Sequence, residues 1–95
     1  MKKKETFNKH FKSKKCIVGI IGLGYVGMPL ALSFINSGFK KVVGFDIDKN
    51  KIKNINNCKS FIWSISSKDI KQALSKGFVV TNDFRKISEL DAIII

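Results

Sequence analysis

The amino-acid sequence predicts an α/β fold built on a parallel sheet, and three observations carry that prediction. Short runs rich in β-branched residues alternate with stretches of helical period. Each run is apolar throughout instead of alternating with polar residues, as strands covered by helices are. Glycine or a capping residue stands at the joins.

Taken in order, Cys16–Ile21 reads as the first strand, and a glycine-rich turn follows. The first helix runs from Val26 to about Ser37, with Val26, Leu30 and Phe34 one turn apart and Ala31 and Ile35 beside them. Pro29 falls in its first turn, where no intrahelical N–H is needed, and Gly38 ends it. Lys41–Asp46 is the second strand. Asp48 is placed to cap a helix over Lys49–Asn56, with Ile52 and Ile55 inward. Residues 56–65 look irregular. Ser67 is the expected cap of a third helix, Lys68–Lys76, with Ile70, Ala73 and Leu74 inward and Gly77 as its stop. Phe78–Thr81 is a third strand, Phe84–Ser88 a turn or short helix, and Ala92–Ile95 a fourth strand. Right-handed crossovers then give one half of a Rossmann-like, doubly wound parallel sheet. An apolar strand at the end of the chain leads us to expect an incomplete domain, the N-terminal part of a longer one.

Composition narrows the function classes. The hydrophobic share of 44% and a mean hydropathy of +0.02 fit a folded chain. The net charge of +11 suggests an anionic partner, but residues 1–15 hold seven lysines against a single glutamate. They read as a basic, disordered extension ahead of a domain over 16–95. With Arg85 as the sole arginine, no nucleic-acid partner is expected. Residues 16–35 are uncharged and long enough to span a bilayer, yet their internal order is strand, glycine turn, helix, so no membrane association is expected. Cys16 and Cys58 lack metal-ligand spacing and make no disulfide framework. His10 stands alone in the basic tail. No metal site is expected, and a reduced, cytoplasmic location is.

The motif that carries chemistry is Gly22-Leu23-Gly24-Tyr25-Val26-Gly27, with glycines at its first, third and sixth places. Gly22 allows the tight turn, Gly24 leaves room for a pyrophosphate, and Gly27 lets the helix approach the sheet. The helix N-terminus beyond supplies free N–H donors to a diphosphate. Nineteen residues past Gly27, Asp46 ends the second strand, where a carboxylate accepts from an adenosine ribose and repels the 2′-phosphate of NADP. The expected cofactor is therefore NAD. Its expected binding residues are Gly22, Gly24, Tyr25, Val26, Gly27, Asp46 and Lys51; Lys51 reaches the ribose, pairs with Asp46, or is merely solvated.

From Ile17 to Ile95 the sequence resembles the start of the nucleotide-sugar dehydrogenases, the UDP-glucose and GDP-mannose dehydrogenase family. The run Gly22–Leu32, with Met28-Pro29-Leu30 after the third glycine, is most similar to the branch acting on UDP-N-acetylhexosamines. Gly44–Asp48, Lys59–Ile62 and Asp91–Ile95 add to the resemblance. It implies an NAD-dependent oxidoreductase that converts the C6 alcohol of a UDP-sugar to a carboxylate for surface polysaccharides, a homo-oligomer when complete. It also places every catalytic residue beyond position 95, so the 95 residues alone are expected to be inactive. Cys58 stands where relatives usually carry glycine, and Trp63 where they more often carry an acid. A 6-phosphogluconate or 3-hydroxyacid type dehydrogenase shares such glycine loops, but Pro29 and the Tyr25-Val26 pair argue against it. A truncated, non-catalytic nucleotide-binding module is the other alternative.

Overall fold

A computed structural model describes residues 15–60, 62 and 65–95. The basic extension up to residue 14, His10, Phe61 and Trp63 lie outside the described residues. The elements are β1 (Val18–Ile21), α1 (Gly27–Asn36), β2 (Val42–Phe45), α2 (Lys49–Asn56), α3 (Ser67–Lys76), β3 (Phe78–Thr81), a 3-10 helix (Phe84–Glu89) and β4 (Ala92–Ile94). The strands form one sheet in the order β3-β2-β1-β4. Every pairing is parallel: Val18 stands beside Val42 and Ala92, and Val42 beside Phe78. The expected parallel α/β sheet is therefore present.

Two crossovers in the same direction put α1, α2 and α3 on one face. Val18, Ile20, Val42, Phe78 and Val80 point to that face and join Ala31, Leu32, Ile35, Ile55, Ile70 and Ala73 in one buried cluster. The alternate strand positions point the other way. There Phe84 of the 3-10 helix stacks on Phe45 with ring centroids 5.5 Å apart, and Leu90 occupies the space beside Gly19. After β3 the chain therefore returns across this second face to reach β4 on the far side of β1. Strand order reverses at β1, and in open α/β sheets ligands bind beyond the C-terminal ends of the strands at such a point.

Several boundaries and faces differ from expectation. Cys16 is buried but precedes β1, which starts at Val18. The buried stripe of α1 is Met28, Ala31, Leu32 and Ile35, with Leu30 and Phe34 at its margin. Val26 is 81% exposed, because it is the N-cap residue in the turn and not a member of the helix face. The cap of α3 is Ser66, not Ser67. Its hydroxyl accepts from the Asp69 N–H at 3.1 Å while the Asp69 carboxylate accepts from the Ser66 N–H, a complete capping box. Ser67 lacks an acid three positions on; Ser66 has one. Ile52 and Leu74 are half-buried against the core, less enclosed than expected.

Helix ends follow the sequence more closely. After α1, the Gly38 and Phe39 N–H groups donate to Ile35 and Phe34, and the Phe39 ring packs edge-on against Phe34 at 5.1 Å. The same hydrogen-bond motif ends α2, where Cys58 and Lys59 donate to Ile55 and Asn54. Its left-handed position is Cys58, at φ +59°, the only non-glycine residue with positive φ among those described. The backbone there suits glycine better than a residue with a Cβ. Among the described residues no helix is long and apolar enough to cross a membrane.

Candidate functional site

The site is built where β1 ends. Gly22 leaves the strand at φ +94°, a conformation open to glycine and costly for any residue with a Cβ. Its N–H still donates to the Phe45 carbonyl at 2.8 Å, so the β1–β2 ladder extends one residue into the turn. Gly24 has open space where a side chain would stand, with nothing within 4 Å. Gly27 is the opposite case: a Cβ there would fall on the Gly22 carbonyl oxygen. Helix and turn thus touch backbone to backbone, and that brings the start of α1 over the end of β1.

The N-terminus of α1 differs from those of the other helices. Asp48 caps α2 by accepting from the Asn50 and Lys51 N–H groups at 2.9 and 3.2 Å, as the sequence predicted, and Ser66 caps α3. Val26, at the N-cap of α1, has no capping side chain, and the first turn has no acid. Among the described residues the N–H groups of Gly24, Tyr25, Val26 and Gly27 find no acceptor. Four donors without acceptors and the positive end of the helix dipole therefore lie next to the open space at Gly24, a setting suited to a diphosphate. Tyr25 and Val26 hold their side chains in solvent, 76% and 81% exposed.

Asp46 lies beside this turn and is 9% exposed, the one buried charged residue among those described. Its Oδ2 accepts from the Leu23 N–H at 2.9 Å, and its Oδ1 from the Asp48 N–H at 2.9 Å. The Lys51 ammonium is 3.4 Å from Oδ2. Burial by itself would raise the carboxyl's pKa. The two N–H donors and the Lys51 charge outweigh it and hold the pKa below the ordinary 3.8, so the group is ionised at neutral pH. The expected site residues are thus all gathered at one end of the sheet, with Lys51 on Asp46. Leu23 is the member that sequence reasoning missed. The available signal was a leucine directly following the apolar run of the first strand; it is 0% exposed. Among the described residues no cluster of His, Cys, Asp or Glu is suited to a metal ion.

A family model described as the UDP-glucose/GDP-mannose dehydrogenase family, NAD binding domain, matches residues 16–95. The chain belongs to this family. Within the dehydrogenase family, it is 37% identical over 78 residues to the UDP-N-acetyl-D-glucosamine 6-dehydrogenase of Salmonella typhi, covering 82% of this chain and 17% of that protein. It is 42% identical over 73 residues to the UDP-glucose 6-dehydrogenase of Campylobacter jejuni, covering 77% of this chain and 16% of that one. The solved UDP-D-ManNAc dehydrogenase of Pyrococcus horikoshii superimposes with a TM-score of 0.75 at 34% identity, over 83% of this chain and 19% of its own. This dehydrogenase-family chain therefore spans about a sixth to a fifth of the length of these relatives, and its residues 16–95 match the N-terminal part of the family's NAD-binding domain.

Proposed function

We propose that the turn from Gly22 to Gly27 holds the diphosphate of NAD and that Asp46, with Lys51 beside it, receives the adenosine ribose. The observation that carries this reading is the set of N–H groups from Gly24 to Gly27, without acceptors among the described residues, at an uncapped helix start beside the open space at Gly24. The ionised Asp46 next to them favours ribose hydroxyls and opposes a 2′-phosphate, so NAD is preferred over NADP. Held there, NAD would supply a hydride acceptor for a substrate alcohol; Gly22 to Gly27, Asp46 and Lys51 would anchor and orient its adenosine and diphosphate end.

In the protein at its complete length, this domain serves a cytoplasmic, homo-oligomeric oxidoreductase that converts the C6 alcohol of a UDP-sugar to a carboxylate for surface polysaccharide synthesis. Met28-Pro29-Leu30 after the third glycine favours a UDP-N-acetylhexosamine as that sugar. Relatives named for both UDP-N-acetylhexosamines and UDP-glucose have similar identity, which makes the choice an experimental one. The cofactor test is calorimetric titration of the full chain with NAD and NADP. Binding of NAD in preference to NADP is expected, and absence of NAD binding overturns the reading. The substrate test is NADH formation by the complete protein with UDP-N-acetylglucosamine, UDP-N-acetylmannosamine and UDP-glucose. Faster turnover of UDP-glucose overturns the N-acetylhexosamine assignment alone.

A further inference from the structure

We infer that Asp46 is also a positioning residue: it sets the glycine turn for the diphosphate through the Leu23 N–H, before any ribose reaches it. The inference rests on the reading of the turn as a diphosphate cradle, and it concerns a different atom from the ribose contact.

Leu23 is held from two directions. Its side chain is fully buried and lies against Gly44 of β2, where an added Cβ would come 2.7 Å from Leu23 Cδ2. Its N–H donates to Asp46 Oδ2 at 2.9 Å, in a buried bond that bridges 23 positions of sequence. One residue earlier the ladder is ordinary backbone, with Gly22 N–H on the Phe45 carbonyl at 2.8 Å. At Leu23 the chain has turned out of the strand, and the carboxylate takes over as acceptor. The amide donors of the cradle begin at the next residue, and the Gly24 carbonyl accepts from the Met28 N–H at 3.1 Å to start the helix. The position of the cradle relative to β2 is therefore set at Leu23.

The same carboxylate reaches in the other direction. Oδ1 holds the Asp48 N–H, and Asp48 in turn caps α2, which carries Lys51 back onto Oδ2. A carboxylate has about four lone-pair directions, and three donors take three of them. The arrangement couples the cradle, the β2–α2 turn and the lysine through one ionised group. An amide side chain cannot replace it, because asparagine offers one acceptor oxygen and an NH2 that cannot receive an N–H.

The experiment compares the full chain with Asp46→Asn by two measurements. The first is binding of inorganic pyrophosphate, which has no ribose, alongside NAD. The second is amide hydrogen exchange at Leu23, with Val43 in β2 as the internal reference. Loss of a negative charge alone would strengthen binding of an anion. We expect instead that the variant binds pyrophosphate at least fivefold more weakly and exchanges Leu23 at least tenfold faster, with Val43 unchanged. A variant that loses NAD affinity while pyrophosphate affinity and Leu23 exchange match the parent overturns the inference and leaves Asp46 as a ribose acceptor only. If the variant fails to fold, the parent alone decides: Leu23 must exchange at least tenfold more slowly than Tyr25, and equal rates overturn the inference. A parent that binds neither NAD nor pyrophosphate removes the cofactor reading, while the Leu23 exchange comparison still decides whether Asp46 holds the turn.

Discussion

The carbonyl oxygen of Gly22 occupies the place where a side chain on Gly27 would begin. The two glycines are in contact through backbone atoms, one at the exit of β1 and the other in the first turn of α1. Gly24, between them, has only open space around it. The three glycines of one motif therefore have separable roles, and substitution should separate them.

Gly27→Val is expected to lower stability by about 1–3 kcal/mol or more, because backbone must move to admit the new atoms. Gly24→Val should leave the melting temperature close to the parent's and abolish measurable NAD binding, because its side chain enters the ligand's space. Thermal melting and calorimetric NAD titration of both variants check this. NAD binding by Gly24→Val at parental affinity would show that the glycines are only a turn.

Asp46 should tie stability to pH in a definite direction. Its pKa is depressed in the folded chain, so its charge stabilises the fold above the ordinary carboxylate value of 3.8 and ceases to do so as pH falls through and below it. Asp46→Asn lacks that charge at every pH. The difference in melting temperature between parent and variant should thus be larger at neutral pH than near pH 3, an order-of-magnitude window set by this depressed pKa. A difference that stays constant on acidification would refute the assignment of the charge to folding.

The capping box makes neighbouring serines unequal. Ser66→Ala should cost about 1 kcal/mol, by losing the acceptor for the Asp69 N–H. Ser67→Ala, at an exposed first helical position, should change stability by less than about 0.5 kcal/mol. Chemical denaturation midpoints of the two variants are the check, and equal losses would contradict the cap at Ser66.

Cys58 provides a test in the opposite sense. A non-glycine residue at φ +59° carries a cost of roughly 1–2 kcal/mol. Cys58→Gly relieves it but gives up the thiol's half-buried contact with the core and adds freedom to the unfolded chain. The net expectation is a gain of about 0.5–1 kcal/mol, seen as a raised melting temperature under reducing conditions. A lowered melting temperature would show that the packed thiol outweighs the backbone strain.

The sequence by itself determined which elements form and in what order. Local chemistry decides both: β-branched runs such as Val42-Val43, the Asp48 cap and the Gly38 and Gly77 stops act within a few residues of chain. It also determined that a glycine turn precedes a helix, and how far along the chain an acid follows. Only the tertiary structure decided what that acid does. Leu23 and Asp46 meet because β1 and β2 pair in one register, with Ile21 beside Phe45, and no local pattern encodes that pairing. Likewise, moving Val26 off the helix face needed the folded turn, in which it is the N-cap of α1, whereas Ser66 was legible from the acid three residues on. Burial is shared between distant segments, and a carboxylate's partners are whatever donors the packed chain brings to it. Those are properties of the assembled sheet and helices, and they account for why the glycines were legible in sequence while the bond that holds them in place was not.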